Sequence, residues 1–166
     1  MRIAIVSDTH IGQRLGNLPP VFYNLIDKPD VIIHAGDFTN VETLKEIQGL
    51  AESFYGVVGN MDNSQIGNML PKENRFELNG VTFGLIHGWG AAGGLQDRVF
   101  EHFKDDKPQI IIFGHSHVPL QQKRGNTLLL NPGCVSGNLF SNKGSLVLME
   151  LSENGEFEIE RKEFKI

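Results

Sequence analysis

The chain has 166 residues, 40% of them hydrophobic and 21% charged, with a formal net charge of −5. That length supports one domain with a sizeable core, and the acidic balance excludes a coat for extended nucleic acid, which is held by clustered Lys and Arg. No apolar run approaches the roughly 20 residues that span a bilayer, so no membrane contact is expected. The single cysteine, Cys134, excludes an intrachain disulfide framework, and the apolar run that Asp8 closes is too short for a signal peptide. A cytoplasmic location is therefore expected.

Residues 3–6 are four consecutive apolar residues, the pattern of a strand buried on both faces. Pro19-Pro20 opens a predicted helix over 20–27, because proline suits a first helical turn. Residues 31–35 form a second strand, and 41–52 carry Val41, Leu44, Ile47, Leu50 and Ala51 at helical spacing. A third strand covers 53–58. Strand, helix, strand, helix, strand is the order of an α/β sheet with parallel strands, and in such sheets ligands bind beyond the carboxyl ends.

The stretch 64–73 reads as an irregular loop. Residues 76–78 and 81–83 flank Asn79-Gly80 as a hairpin, with the second strand running on to Ile86. A helix is predicted over 95–104 and a fully apolar strand over 109–113. The remainder reads as strands at 118–122, 127–131, 145–151 and 156–163, with Gly125-Asn126 and Asn154-Gly155 as turns. In the last strand Phe157 and Ile159 share one face and Glu156, Glu158 and Glu160 the other. It is expected to cover the core on one side only, with an edge open to a second copy in a homo-oligomer.

Five apolar runs end in ligand-type residues: Asp8 and His10, Asp37, Asn60, His87, and His115 with His117. Extended backbone alternates its side chains, so Asp8 and His10 are expected to point the same way. Taken singly, Asp37 reads as a helix cap, Asn60 as a turn residue and His87 as a core histidine. Capping does not require three histidines, and turns do not require two separated by one residue. The joint pattern reads as a metal site, and nitrogen and oxygen donors without thiolate suit Mn, Fe, Ni or Zn better than Ca or Mg.

These residues resemble the calcineurin-like metallophosphoesterase superfamily, whose pattern is D-x-H, G-D, G-N, H and G-H-x-H. Here the blocks are Asp8-Thr9-His10, Gly36-Asp37, Gly59-Asn60, His87 and Gly114-His115-Ser116-His117, in that order. The short length and Gly59-Asn60-Met61-Asp62 resemble the small prokaryotic single-domain phosphodiesterase (YfcE-like) branch. The resemblance implies a four-layer α/β/β/α sandwich of two mixed sheets flanked by helices, one domain over 1–166. It implies two divalent ions, manganese first and nickel, iron or zinc as alternatives. Asp8, His10, Asp37 and His117 would hold one, and Asp37, Asn60, His87 and His115 the other, with Asp37 bridging. The pair would lower the pKa of a water between them, and the hydroxide would attack phosphorus in line with the leaving oxygen. The catalytic residues would be His10, Asp37 and Asn60, with Asn60, His87 and Arg14 in contact with the substrate. Gly36, Gly59 and Gly114 would let the backbone turn sharply beside the ions.

The substrate implied is a small phosphodiester. A phosphomonoesterase or protein phosphatase ranks lower, because the chain lacks the cap segments that often shape such sites. A binding scaffold like the retromer subunit of this fold is disfavoured, since every ligand position holds a coordinating residue. Many members carry a histidine after G-N as general acid. Met61 stands there and donates no proton, which leaves His10, Asp62 or a metal-bound water as alternatives and favours good leaving groups such as aryl esters. Other polar residues carry plainer readings. His34 is assigned to the core or to ligand support, His102 to solvent and Cys134 to an inert small site. Asn131-Pro132-Gly133-Cys134 reads as structural, and Trp89 and Phe140 as pocket lining or core.

Overall fold

Runs of β-branched and aliphatic residues, each about one strand long, build two sheets. The computed structural model describes residues 1–137 and 142–166. The elements are β1 (Arg2–Val6), α1 (Pro20–Ile26), β2 (Val31–His34), α2 (Val41–Gln48), β3 (Ser53–Gly56), α3 (Ser64–Met69), β4 (Glu73–Leu78) and β5 (Val81–Ile86). They continue with α4 (Leu95–His102), β6 (Ile110–Phe113), β7 (Leu120–Arg124), β8 (Thr127–Asn131), β9 (Lys143–Leu151) and β10 (Phe157–Lys165). The first sheet has the order β10-β9-β1-β2-β3, and the second β4-β5-β6-β8-β7. In each sheet the three consecutive strands β1-β2-β3 or β5-β6-β8 pair in parallel, and the flanking strands pair antiparallel. Both sheets are therefore mixed.

Three apolar clusters define four layers. Ile3, Ile5, Ile33 and Met149 of the first sheet meet Phe83, Leu85, Ile112 and Leu130 of the second. On the outer face of the first sheet, Ala4, Val6 and Ile32 pack under Phe22 and Ile26 of α1, Leu44 and Ile47 of α2, and Ile66 of α3. On the outer face of the second, Ile111 and Phe113 pack under Leu95 and Val99 of α4. The central strands β1, β2 and β6 thus bury both faces, which is why they read as unbroken apolar runs. Each fully buried aliphatic side chain contributes about 1.5–3 kcal/mol of transfer free energy, so the two-sheet core fixes the strand ends against which the polar loops are built.

The structure corrects several expectations. The stretch read as loop holds α3, whose first turn is capped by Asn63 accepting the Ile66 N–H at 3.1 Å. Six residues with Gly67 inside carry too little periodicity to read; the cap and the buried Ile66 make the helix. β4 starts at Glu73, because its ladder with β5 extends to the pair Glu73↔Ile86. β7 starts at Leu120, two residues later than expected, beyond Pro119, which has no N–H to give a ladder. Nor does β10 cover the core on one side only. Ile159 packs on the inter-sheet cluster and Phe164 on the helix-side cluster, five residues apart and so on opposite faces.

Trp89 is exposed and stands edge-on to His102, with ring centroids 5.6 Å apart, so it is not a core residue. His102 is paired with Glu73 rather than simply solvated. Phe140 lies outside the described residues. No helix among the described residues is long and apolar enough to cross a membrane.

Candidate metal centre

All seven ligand-type residues follow the carboxyl ends of β1, β2, β3, β5 and β6. Five of them adopt left-handed backbone: Asp8 (φ 54°), His10 (44°), Asp37 (64°), His115 (67°) and His117 (58°). Asp8 and His10 therefore converge by a reversal of the backbone after Val6, not by the strand alternation the sequence suggested. Such conformations cost roughly 1–2 kcal/mol for a residue with a Cβ, and they persist where the surroundings over-determine them. Here bonds between loops do so. The Asp8 N–H donates to the Gly36 carbonyl at 3.0 Å, the His10 N–H to the Asp37 carbonyl at 3.2 Å, and the Gly114 N–H to the His87 carbonyl at 3.1 Å.

The first group of ligand atoms is compact. Asp8 Oδ1 lies 3.1 Å from His117 Nε2 and 3.7 Å from His10 Nε2. His10 Nε2 lies 3.2 Å from His117 Nε2 and 3.6 Å from Asp37 Oδ2. One ligand atom from each of Asp8, His10, Asp37 and His117 falls within 4.8 Å of all the others. The second group centres on Asn60 Oδ1, which is 3.0 Å from His87 Nε2 and 2.8 Å from His115 Nδ1. Asp37 Oδ2 joins the groups, 3.4 Å from His87 Nε2. Its other oxygen, Oδ1, accepts the Met61 N–H at 2.7 Å.

Supporting contacts set which atoms face inward. The His87 Nδ1–H donates to the Ala35 carbonyl at 2.6 Å, and the His115 Nε2–H to the Gly90 carbonyl at 2.8 Å. That leaves His87 Nε2 and His115 Nδ1 as lone-pair donors. Gly90 sits in a loop held by Arg98 of α4, which donates to the Trp89 carbonyl at 2.9 Å and the Gly93 carbonyl at 3.0 Å. Asp8 Oδ2 accepts from Ser7 Oγ and, at 3.1 Å, from the His115 N–H. The backbone oxygen of Asp8 accepts from Ser136 Oγ at 3.0 Å and the Cys134 thiol at 3.1 Å, so Cys134 braces the site as a small buried group. Asn131 Nδ2 donates to the Gly114 carbonyl at 2.8 Å, giving the 131–134 segment its supporting part.

His34 is fully buried and stacked on Phe38 with centroids 3.6 Å apart. Its Nδ1 accepts the Gly36 N–H at 3.1 Å, and burial pushes its pKa down to about 3 against the pull of Asp8 and Asp37, so it is neutral support rather than a base. Asp62 accepts three backbone N–H bonds, from Gly59 at 2.7 Å, Thr39 at 2.7 Å and Asp37 at 3.0 Å. Arg14 Nη1 donates to the Gly137 carbonyl at 3.0 Å and lies 3.2 Å from His117 Nδ1, which places it at the rim of the first group. Arg98 is the contribution that sequence patterns missed, having no local signal; Asp62, offered from the sequence as an alternative acid, instead holds backbone N–H groups of two loops.

The electrostatics are those of a cation site. Burial opposes charge on Asp8, yet the rings of His10 and His117 hold its carboxyl well below the usual carboxylate range. Burial likewise opposes charge on His117, but the Asp8 carboxylate beside it pushes its pKa up to about 10. Asp8 Oδ1 is buried, and although His117 Nε2 lies 3.1 Å away it makes no well-aligned hydrogen bond. A buried carboxylate oxygen without an aligned donor is costly unless a cation meets it. Metal bonds of about 2.0–2.1 Å separate neighbouring ligand atoms by roughly 3.0–3.4 Å, close to the spacings found here. The residues present therefore fit a divalent metal. Two close approaches require glycine: a Cβ on Gly59 would lie 2.1 Å from Asp37 Oδ1, and one on Gly36 would lie 2.8 Å from His87 Nδ1.

Comparison with known proteins gives the same blocks a context. The model of the calcineurin-like phosphoesterase superfamily domain matches residues 1–154. A probable metallophosphoesterase of Methanocaldococcus jannaschii is 35% identical over 136 residues, 80% of this chain and 67% of that protein. A protein of the same organism named a phosphodiesterase is 25% identical over 151 residues, 84% of this chain and 87% of that protein. The crystal structure of Chaetomium thermophilum Vps29 superposes with a TM-score of 0.80 over 99% of this chain and 95% of that one, at 18% identity, which is a likeness of fold. The matched span takes in every residue of both ligand groups, so the chain belongs to the calcineurin-like phosphoesterase superfamily, a family of metal-dependent phosphoester hydrolases.

Proposed function

We propose that the protein is a dinuclear phosphodiesterase of the cytoplasm acting on a small phosphodiester, with manganese as the first-choice ion and nickel, iron or zinc as alternatives. The observation that carries this reading is the position of Asp37 Oδ2, 3.6 Å from His10 Nε2 and 3.4 Å from His87 Nε2. A carboxylate oxygen facing one histidine of each group is the shared ligand that a pair of ions requires. In this reading Asp8, His10, Asp37 and His117 hold one ion, and Asp37, Asn60, His87 and His115 the other. When bound, such ions supply Lewis-acid charge to phosphoryl oxygens and lower the pKa of a nucleophilic water.

The chain's own part is positioning, charge and proton bookkeeping. Arg14 brings a guanidinium to the rim of the first group, suited to a substrate phosphate oxygen. Asn60 and His87 stand together in the second group, Asn60 Oδ1 3.0 Å from His87 Nε2, where they would meet a phosphoryl oxygen of the substrate. His10 acts as a ligand and not as a proton donor, since Nε2 faces Asp8, Asp37 and His117 while Nδ1 is buried without a partner. Asp62 is taken up by its three backbone donors. Met61, exposed beside Asn60, has no transferable proton. Of the alternatives, only a water on the ions would be left to assist the leaving oxygen, so a leaving group of low basicity is favoured.

The choice of a diester is supported by the Methanocaldococcus relative named a phosphodiesterase. A binding scaffold of the Vps29 kind is disfavoured by the full set of ligand-type residues. A buried free thiol at Cys134 is consistent with a reducing compartment. The test is hydrolysis by metal-stripped protein reloaded with Mn2+, on aryl phosphodiester and aryl phosphomonoester substrates. The reading expects the diester to be cleaved faster. A preference for the monoester overturns the diester assignment, and no turnover of either substrate by ion-loaded protein overturns the enzyme.

A further inference from the structure

We propose that Asp62 is a positioning residue that couples the second ion to the first, by locking the loop of Asn60 onto the loop of Asp37. This rests on the two-ion reading above and adds a residue to it. Asp62 Oδ2 accepts the Gly59 N–H at 2.7 Å and the Asp37 N–H at 3.0 Å, and Oδ1 accepts the Thr39 N–H at 2.7 Å. One carboxylate thus holds donors from both loops. The return contact is made by Asp37 itself, whose Oδ1 accepts the Met61 N–H at 2.7 Å. The two aspartates are cross-braced, each gripping backbone next to the other. The result fixes which oxygen of Asp37 is spent on the protein and leaves Oδ2 between His10 and His87.

The two ligand groups depend on this brace unequally. Asp37 is tied to the β1 loop by contacts that do not involve Asp62: its carbonyl accepts the His10 N–H at 3.2 Å and Thr9 Oγ1 at 3.2 Å. The group of Asp8, His10, Asp37 and His117 therefore keeps its frame when Asp62 is removed. The group of Asn60, His87 and His115 does not. Asn60 reaches Asp37 through Gly59, whose N–H ends on Asp62, and through Met61, whose N–H ends on Asp37. Removing the Asp62 carboxylate halves that attachment and leaves three buried or half-buried N–H groups without acceptors, so the Asn60 loop relaxes away from the shared oxygen.

The experiment is a Mn2+ titration of metal-stripped protein, followed by calorimetry and by electron paramagnetic resonance. Wild type is expected to take up two Mn2+ and to develop the exchange-coupled signal of a pair. Asp62→Ala is expected to bind the first Mn2+ as wild type does and the second about 10–100-fold more weakly, the usual penalty for losing an outer partner of a metal site. At stoichiometric loading its spectrum is that of isolated Mn2+. Asp62→Asn keeps one oxygen for Gly59 and Asp37 but turns an N–H toward Thr39, and is expected to show a smaller loss of the same kind. If Asp62→Ala does not fold, Asp62→Asn decides the matter by the same reading. Unchanged affinity for the second ion in a folded variant overturns the proposal. So does an equal loss at both ions, which marks a general structural role. A wild type that binds a single Mn2+ overturns the two-ion reading itself, so the two failures are told apart.

Discussion

Gly59→Ala puts the closeness of the two ligand loops to a direct test. A Cβ at this position would lie 2.1 Å from Asp37 Oδ1, 2.4 Å from the Asp37 backbone nitrogen and 2.8 Å from Asp37 Cγ. Gly59 is not in left-handed backbone, so the effect of alanine is contact and not torsional strain. The carboxylate could swing aside, but the backbone nitrogen cannot, and it is donating to Asp62. The loops must therefore separate by about an ångström to restore ordinary contact, an overpacking that costs about 1–3 kcal/mol of stability. The same displacement moves Asp37 relative to Asn60, and misplacement on this scale costs about 100-fold in rate. Thermal unfolding and kcat on an aryl phosphodiester, with Mn2+ bound, measure the two effects. Wild-type Tm together with wild-type kcat in Gly59→Ala would refute the close packing on which the site is built.

Three further outcomes follow from the charges at the site and from Met61. Because His87 and His117 hold their protons more tightly than free imidazole in the ion-free protein, Mn2+ must displace protons, and its affinity should rise with pH; calorimetry in buffers of different ionisation enthalpy measures the release, and a pH-independent affinity contradicts it. The folded-state pKa of His117 is raised from 6.5 to about 10, so its contribution to ion-free stability is complete below pH 6.5 and is lost as pH rises through 10; ion-free Tm should fall across that window, and a His117→Gln variant should fall less. With Met61 in place of an acid, rates should depend steeply on the leaving group, and alkyl diesters cleaved as fast as aryl ones would contradict this.

The parallel order of β1, β2 and β3 and the clustering of ligand residues at their ends could be read from local pattern alone. Four-residue apolar runs report burial on both faces, and the polar residues that close them have few other reasons to be there. What could not be read is how those residues converge. Asp8, His10 and Asp37 reach one point through left-handed backbone, which is imposed by bonds to Gly36, Asp37 and His115 from other loops. Local propensity disfavours that conformation, so no local signal announces it. The backbone-holding roles of Asp62, which the sequence offered only as an alternative acid, and of Arg98 were not legible either. Asp62 accepts the Asp37 N–H from 25 residues away, a partner set by the tertiary fold, while Arg98 donates to loop carbonyls five and nine residues before it, which no side-chain pattern marks. α3 was missed because a six-residue helix is decided by its Asn63 cap and one buried isoleucine.

The most direct test of the shared-ligand account compares Asp37→Ala and His87→Ala with wild type, each metal-stripped and reloaded with Mn2+, in hydrolysis of an aryl phosphodiester. Asp37 Oδ2 faces both groups, so Asp37→Ala should abolish turnover and the binding of a paired ion, while His87→Ala should lose turnover and keep one Mn2+. Turnover in both variants equal to that of wild type would contradict a catalytic centre built on these residues.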